Sequence, residues 1–304
     1  MSKITVVGSI NMDLSISAET LPREGETVHG SDFRMLPGGK GSNQSIAAAR
    51  LGADVTFVGC VGQDTFGEAL CRHLVQEQIR TDYVHTVPDC STGTAVILLH
   101  QGDNRIIVDK GANKRLSREH VLEAADCIRQ SDIVMGQFEA PMDALKCAFS
   151  IAKEQGITTL LNPAPFQPFD AEILQLTDII IPNEIECAQL TGIAPQTEEN
   201  LILAMKKLRT LGPKEVIVTL GDQGAAYLEG GTFCQVPARK VTALDTTGAG
   251  DSFCGSLAWA LSNGCSMKEA VHTAICVSSI AVTRRGASSS YPSLAELQQV
   301  IQQP

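Results

Sequence analysis

Ala243-Leu244-Asp245-Thr246-Thr247-Gly248-Ala249-Gly250-Asp251-Ser252-Phe253 joins a strand-like run, residues 233–244, to an apolar helix-forming run, residues 252–261. Two glycines at the junction let the backbone turn sharply and approach a ligand closely. The amides of Gly248, Ala249 and Gly250 fall at or near a helix start. Unpaired N–H donors and the positive end of the helix dipole make such a start a ready anion site. Asp251 stands beside it, placed to take a proton from an attacking hydroxyl. The same residues also suit a plain capped helix, because an acid near a helix start is a common stabiliser.

Outward from this stretch the chain alternates strands and helices. Strand-like runs at 4–8, 54–61, 132–136, 158–161, 178–181 and 215–219 are interleaved with helical runs at 44–51, 66–78, 117–129, 142–155, 184–190 and 198–211. Further helices are expected at 252–261, 267–282 and 294–301. Such alternation predicts an α/β fold with a doubly wound, mostly parallel sheet and helices on both faces. Two regions break the rhythm. Residues 14–36 contain Pro22, Gly25 and Gly30 with a short strand near 26–33, and 92–110 read as a hairpin around Gln101-Gly102-Asp103. Both are assigned to a small β lid on a single domain spanning 1–304. Ligands of doubly wound sheets bind beyond the carboxyl ends of the strands. The segments Gly8 to Asp13, Gln137 to Glu139, Asn162, Asn183, Gly221 to Gly224 and Gly248 to Asp251 are therefore expected on one edge.

Composition narrows the function. Of 304 residues, 43% are hydrophobic and 19% charged, enough for a full core. A net charge of −10 and the lack of a long Lys/Arg cluster argue against nucleic-acid binding. The ten cysteines form no C-x-x-C motif and point to a reducing cytoplasm. Residues 1–7 lack a signal-peptide core, and no apolar run reaches membrane-spanning length. Gly8 begins no G-x-G-x-x-G, against a dinucleotide oxidoreductase.

Four motifs then occur in order. Gly38-Gly39-Lys40-Gly41-Ser42-Asn43-Gln44 and Asp245-Thr246-Thr247-Gly248-Ala249-Gly250-Asp251 resemble the two signatures of the ribokinase family of carbohydrate and nucleoside kinases. Asn183-Glu184-Ile185-Glu186 resembles its N-x-x-E motif, and Thr219-Leu220-Gly221-Asp222-Gln223-Gly224 its T-x-G-x-x-G. Order and spacing match over essentially the whole chain. Gly8-Ser9-Ile10-Asn11-Met12-Asp13 and the first signature look most like the ribose-phosphorylating members.

The resemblance implies transfer of the γ-phosphoryl of ATP to a sugar hydroxyl, with Asp251 as general base and the Gly248, Ala249 and Gly250 amides as anion hole. It implies a sugar pocket of Asn11, Asp13, Gly39, Lys40, Asn43, Glu139 and Asp251. Carboxylates and amides suit that task, since each can pair with neighbouring hydroxyls and penalise an analogue lacking one. Asn183 and Glu186 would orient Mg²⁺ and phosphates, although Pro182-Asn183-x-x-Glu186 also reads as a capping box. Thr219, Gly221, Gly224 and Gly250 would admit the nucleotide, with Ile275, or nearby His272, beside the adenine. A K⁺ site would use Asp245, Thr247, Ala281, Arg284, Gly286 and Ser290, mostly through backbone carbonyls. The resemblance also implies a homodimer through the lid. Asn11 and Asp13 could instead be turn residues after a strand, Glu139 a cap for the next helix, and Thr219 to Gly224 a turn between strands. Rival functions are a kinase for deoxyribose, another sugar or a nucleoside, and a non-catalytic sugar or nucleotide sensor.

Overall fold

The structure, a computed structural model, describes residues 2–101 and 103–301. Met1, Gly102 at the expected hairpin turn, and positions 302–304 lie outside the described residues. The chain opens with β1 (Lys3–Val7), β2 (Asn11–Ala18), β3 (Gly30–Gly38), α1 (Lys40–Arg50), β4 (Asp54–Gly62), α2 (Thr65–Gln76) and β5 (Arg80–Val87). β6 (Gly93–His100) and β7 (Asp103–Asp109) precede α3 (Arg118–Glu123), α4 (Ala125–Arg129), β8 (Ile133–Gln137) and α5 (Met142–Glu154). β9 (Thr158–Asn162), α6 (Glu172–Gln175), β10 (Ile179–Ile180), α7 (Glu184–Thr191) and α8 (Glu198–Thr210) follow. The chain closes with β11 (Glu215–Thr219), β12 (Ala225–Glu229), β13 (Thr232–Val236), α9 (Ala249–Ser262), α10 (Met267–Ala281) and α11 (Leu294–Ile301).

A nine-stranded sheet runs in the order β13-β12-β11-β10-β9-β8-β1-β4-β5. It is parallel from β11 to β5, and β12 and β13 add an antiparallel edge. Successive strand residues point to opposite faces, and here both faces are dry. Val6, Phe57, Met135, Leu160 and Ile217 pack with Ile46, Leu70, Phe253 and Leu257 of α1, α2 and α9. Their neighbours Val7, Val58, Val134, Leu161 and Val218 pack with Val121, Leu145, Phe149 and Met205 of α3, α5 and α8. Burial on both sides explains why these strands read as near-continuous apolar runs. From β1 the chain winds to β4 and β5, then crosses back to β8. The resulting switch point, beside β1 and β8, is where such sheets bind ligands.

The lid is a separate four-stranded sheet, β3-β2-β6-β7. It begins at Asn11, so Asn11 and Asp13 lie on a paired strand and not in a free turn. The strand expected near 26–33 is β3 at Gly30–Gly38, running directly into α1. Cross-strand pairs put Leu14, Met35, Val96 and Ile107 on one face, and Asp13, Leu36, Ala95 and Val108 on the other. Met35, Val96 and Ile107, with Phe33 two residues from Met35, are exposed apolar side chains on that first face.

Three further expectations are corrected. The strand at 233–244 ends at Val236. Pro237 has no N–H for a ladder, and the Leu244 and Asp245 amides turn away to donate to Val282 O at 2.7 and 3.2 Å. The helix at 117–129 is two helices meeting at Ala124. β5 and β12 were not anticipated. β5 is a polar edge strand, and β12 pairs antiparallel with its neighbours across tight turns. Among the described residues no helix is long and apolar enough to cross a membrane.

Candidate active site

A cavity of about 200 Å³ opens beyond the carboxyl ends of the parallel strands. Its lining includes Lys40, Asn162, Asn183, Glu186, Thr219, Gly248, Gly250 and Asp251. Five segments far apart in sequence therefore meet on one sheet edge, as the strand-end positions imply.

The start of α9 forms one wall. Gly248 is its N-cap at φ 75°, a conformation that favours glycine, and a Cβ there would meet the Tyr291 hydroxyl at 2.5 Å. That hydroxyl donates to Gly248 O at 2.9 Å and locks the turn. The first intrahelical bond in this turn runs from Ser252 N to Gly248 O, so the Gly250 and Asp251 amides precede the ladder. Ala249 differs from expectation: its amide donates to Thr246 O at 3.2 Å and is spent on the turn.

Asp251, 6% exposed, sits one residue further along. Its Oδ2 accepts from Asn43 Nδ2 at 3.0 Å and its Oδ1 from Gln44 Nε2 at 3.1 Å. Lys40 opens α1 and lines the same cavity as Asn183 and Glu186. Asp251 raises the Lys40 pKa above its ordinary value, helped by Glu139 and Glu186 against burial, so the ammonium stays charged. Cys254, one helical turn after Asp251, also lines the cavity. Burial pushes its thiol well above the ordinary range.

The residues expected at the sugar form a second group around the α1 start. Gly39, at φ 88°, caps α1, and a Cβ there would lie 2.7 Å from Ile10 Cα. Glu139 does not cap the following helix, whose N-cap is Pro141. Its Oε2 accepts from Lys40 N at 3.1 Å and from the Ser9 hydroxyl, which places a carboxylate at the start of α1. Burial, then Glu139 and Asp251, raise the Asp13 pKa to about 7, with Lys40 opposing. Asn113 was missed from sequence. It is buried, pairs with both backbone groups of Ile10, and donates to Asn11 Oδ1 at 2.7 Å. No motif marks it, since an isolated Asn after a hairpin reads as a turn.

The capping-box reading of N-x-x-E holds. Asn183 and Glu186 exchange capping hydrogen bonds of 2.8 and 2.9 Å, and both line the cavity. Burial raises the Glu186 pKa. Thr219 pairs with Asn183 and lines the cavity too. Gly221 and Gly224 shape the β11–β12 turn, where Gly224 packs on Val236 O. Ile275 lies buried in the core on α10 and is not part of the cavity wall.

The residues expected at a monovalent cation lie on two loops joined by Asp245. Its carboxylate accepts from Thr247 N at 2.9 Å and Gly286 N at 2.8 Å. Although burial opposes it, these bonds hold the Asp245 pKa below the ordinary value. Arg284 N donates to Ala281 O at 3.0 Å, and Arg284 Nη1 to Ser290 O at 3.4 Å. A carboxylate and backbone oxygens are hard donors that fit K⁺. Among the described residues no cluster of three or more His, Cys, Asp or Glu is arranged to hold a metal. The Glu186 and Asp251 carboxylates on the cavity wall fit Mg²⁺ that keeps much of its hydration.

Known proteins resemble this chain over nearly their whole length. The family profile described as pfkB family carbohydrate kinase matches residues 1–294. A ribokinase of Lactococcus lactis is 37% identical over 298 residues, covering 98% of this chain and 96% of that one. A deoxyribokinase of Salmonella typhi is 35% identical over 300 residues, covering 98% of each. The solved structure of Arabidopsis thaliana ribokinase complexed with ribose and ATP superposes with a TM-score of 0.94 at 32% identity, covering 100% of both chains.

Proposed function

The chain belongs to the pfkB family of carbohydrate kinases, and from that premise we propose that it phosphorylates D-ribose at its 5-hydroxyl with ATP, giving ribose 5-phosphate and ADP. The observation that carries this reading is the convergence of Asp251, the α9 N-terminus and the Lys40 ammonium on one cavity. Asp251 takes the proton as the hydroxyl oxygen bonds to the γ-phosphorus. The bond to the β–γ bridging oxygen breaks, and its electron pair leaves on ADP. The Gly248 and Gly250 amides and Lys40 face the charge that moves onto the transferred group. Ala249 contributes the turn instead of its amide.

Asn11, Asp13, Gly39, Asn43 and Glu139 surround the sugar. The lid closes over it and excludes water that would hydrolyse ATP. Thr219 and the Gly221–Gly224 turn border the nucleotide phosphates. Asn183 and Glu186 would hold Mg²⁺ through water, and the ion would neutralise phosphate charge. Asp245, Thr247, Ala281, Arg284, Gly286 and Ser290 would hold K⁺, which would add fixed positive charge behind the anion hole. The exposed apolar face of the lid, with Phe33, Met35, Val96 and Ile107, is the surface for a second copy of this chain. Ten free cysteines suit the reducing cytoplasm.

The 35% identity to a deoxyribokinase keeps 2-deoxyribose as a second reading. The test is ADP formation with ATP, Mg²⁺ and K⁺ over ribose, deoxyribose, fructose and adenosine. Ribose-dependent turnover lost in Asp251→Asn is the expected result. Preference for deoxyribose would replace the sugar and keep the chemistry. Silence across the panel, in protein that still binds ATP, would favour a sensor.

A further inference from the structure

At the cavity wall and behind it, two neighbouring strands end in buried side-chain amides and a third in a backbone carbonyl. Gln137 closes β8, Asn162 closes β9, and Ile181 follows β10. Asn162 Nδ2 donates to Ile181 O at 2.9 Å. A backbone carbonyl can only accept, so this bond sets the Asn162 amide and turns its Oδ1 toward Gln44. Gln44 Nε2 donates to that oxygen at 3.2 Å and to Asp251 Oδ1 at 3.1 Å. On its other side, Gln44 Oε1 accepts from Gln137 Nε2 at 2.9 Å. Gln44 and Gln137 are 0% exposed. Both N–H groups and the carbonyl of Gln44 are thus engaged, and its amide has one orientation.

Buried amides are costly unless paired, and an apolar side chain would fill this space without that cost. Here the chain of amides ends on one functional atom. Asp251 has one N–H donor on each oxygen, and the two donors differ in kind. Asn43 belongs to the sugar pocket, where a hydroxyl competes for Oδ2. Gln44 lies behind the site and has no other task.

We infer that Gln44, oriented by Gln137 and Asn162, is a positioning residue that pins Oδ1 of Asp251 and leaves Oδ2 to receive the substrate hydroxyl. The inference rests on Asp251 serving as the base. Gln44 touches neither sugar nor nucleotide and acts through the carboxylate alone. If Gln44 turned over, its carbonyl would face a carboxylate oxygen, so the strand-end amides also guard the charge of the base.

Replacing Gln44 by Met keeps length and volume and removes the amide. A donor to a carboxylate favours its ionised form, so losing one moves the acid side of the kcat–pH profile upward by about one unit. At the pH optimum kcat falls by about tenfold to a hundredfold, the scale of one hydrogen bond to a charged group. KM for ATP stays within about twofold of wild type, since the nucleotide contacts are untouched. Gln137→Met, which never contacts Asp251, shifts the same profile in the same direction by a smaller amount. Folding is checked by thermal unfolding and ATP binding.

A residue that merely fills the core would lower the melting temperature and leave the pH profile in place. That result in Gln44→Met overturns the inference. Should Gln44→Met not fold, Gln137→Met with an unmoved profile does so alone. The base assignment is tested separately by Asp251→Asn. Near-normal turnover there removes the premise, whereas an inactive Asp251→Asn beside a fully normal Gln44→Met refutes only the positioning role.

Discussion

Asp13 carries a clear electrostatic cost in the free site. Four carboxylates, Asp13, Glu139, Glu186 and Asp251, act on one ammonium, Lys40. With the Asp13 pKa raised to about 7, the folded protein holds this proton more tightly than the unfolded chain does. Its favourable contribution is full below the ordinary carboxylate value and is lost as pH rises through about 7. Asp13→Asn should therefore melt about 3 °C higher than wild type at pH 8, by calorimetry, with the difference shrinking steadily and vanishing only below about pH 4. The same variant loses ribose binding. In the wild type, sugar hydroxyls need the ionised carboxylate as acceptor, so KM for ribose should rise about tenfold from pH 8 to pH 6. A flat KM would show that Asp13 binds sugar in its neutral form. Asp251→Asn should lower kcat by at least about a hundredfold with an unchanged melting profile, the usual scale for losing a general base.

At the scale of elements, α7 combines structure and function in one box. Asn183→Ala removes the side-chain cap and should cost about 1 kcal/mol in urea unfolding. It should also raise KM for ATP, because the same side chain lines the cavity. A stability loss with unchanged KM would reduce Asn183 to a cap. The elements that were legible left a plain mark on the sequence: buried parallel strands leave near-continuous apolar runs, and amphipathic helices a 3.6-residue period. β5 did not, because Arg80, Asp82 and His85 make it a polar edge. The 237–248 segment misled because its apolar Val241 and Leu244 look strand-like, yet Val241 and Leu244 are exposed. Site residues within glycine motifs were legible for a related reason, since sharp turns need glycine. Gln44, Gln137, Asn162 and Asn113 were not read as site residues. Their meaning lies in contacts between segments about 90 to 120 residues apart, as in the Gln137–Gln44 and Asn162–Gln44 bonds.

Over the whole molecule, one sheet serves two surfaces. Asp13 lies on one face of the lid, while Phe33, Met35, Val96 and Ile107 lie on the other. Ile107 is 74% exposed in the single chain. For the dimer proposed above, Ile107→Glu should give a monomer in sedimentation velocity and raise KM for ribose more than KM for ATP. A variant that stays dimeric would place the interface elsewhere. The buried thiol beside the base has a practical consequence. Cys254 is 1% exposed, and a thiol held in its protonated form reacts slowly. Its labelling by a small alkylating reagent then needs a transient opening of the α9 wall. The labelling rate becomes a clock for breathing of that wall, read without a reporter dye, and bound nucleotide slows the clock.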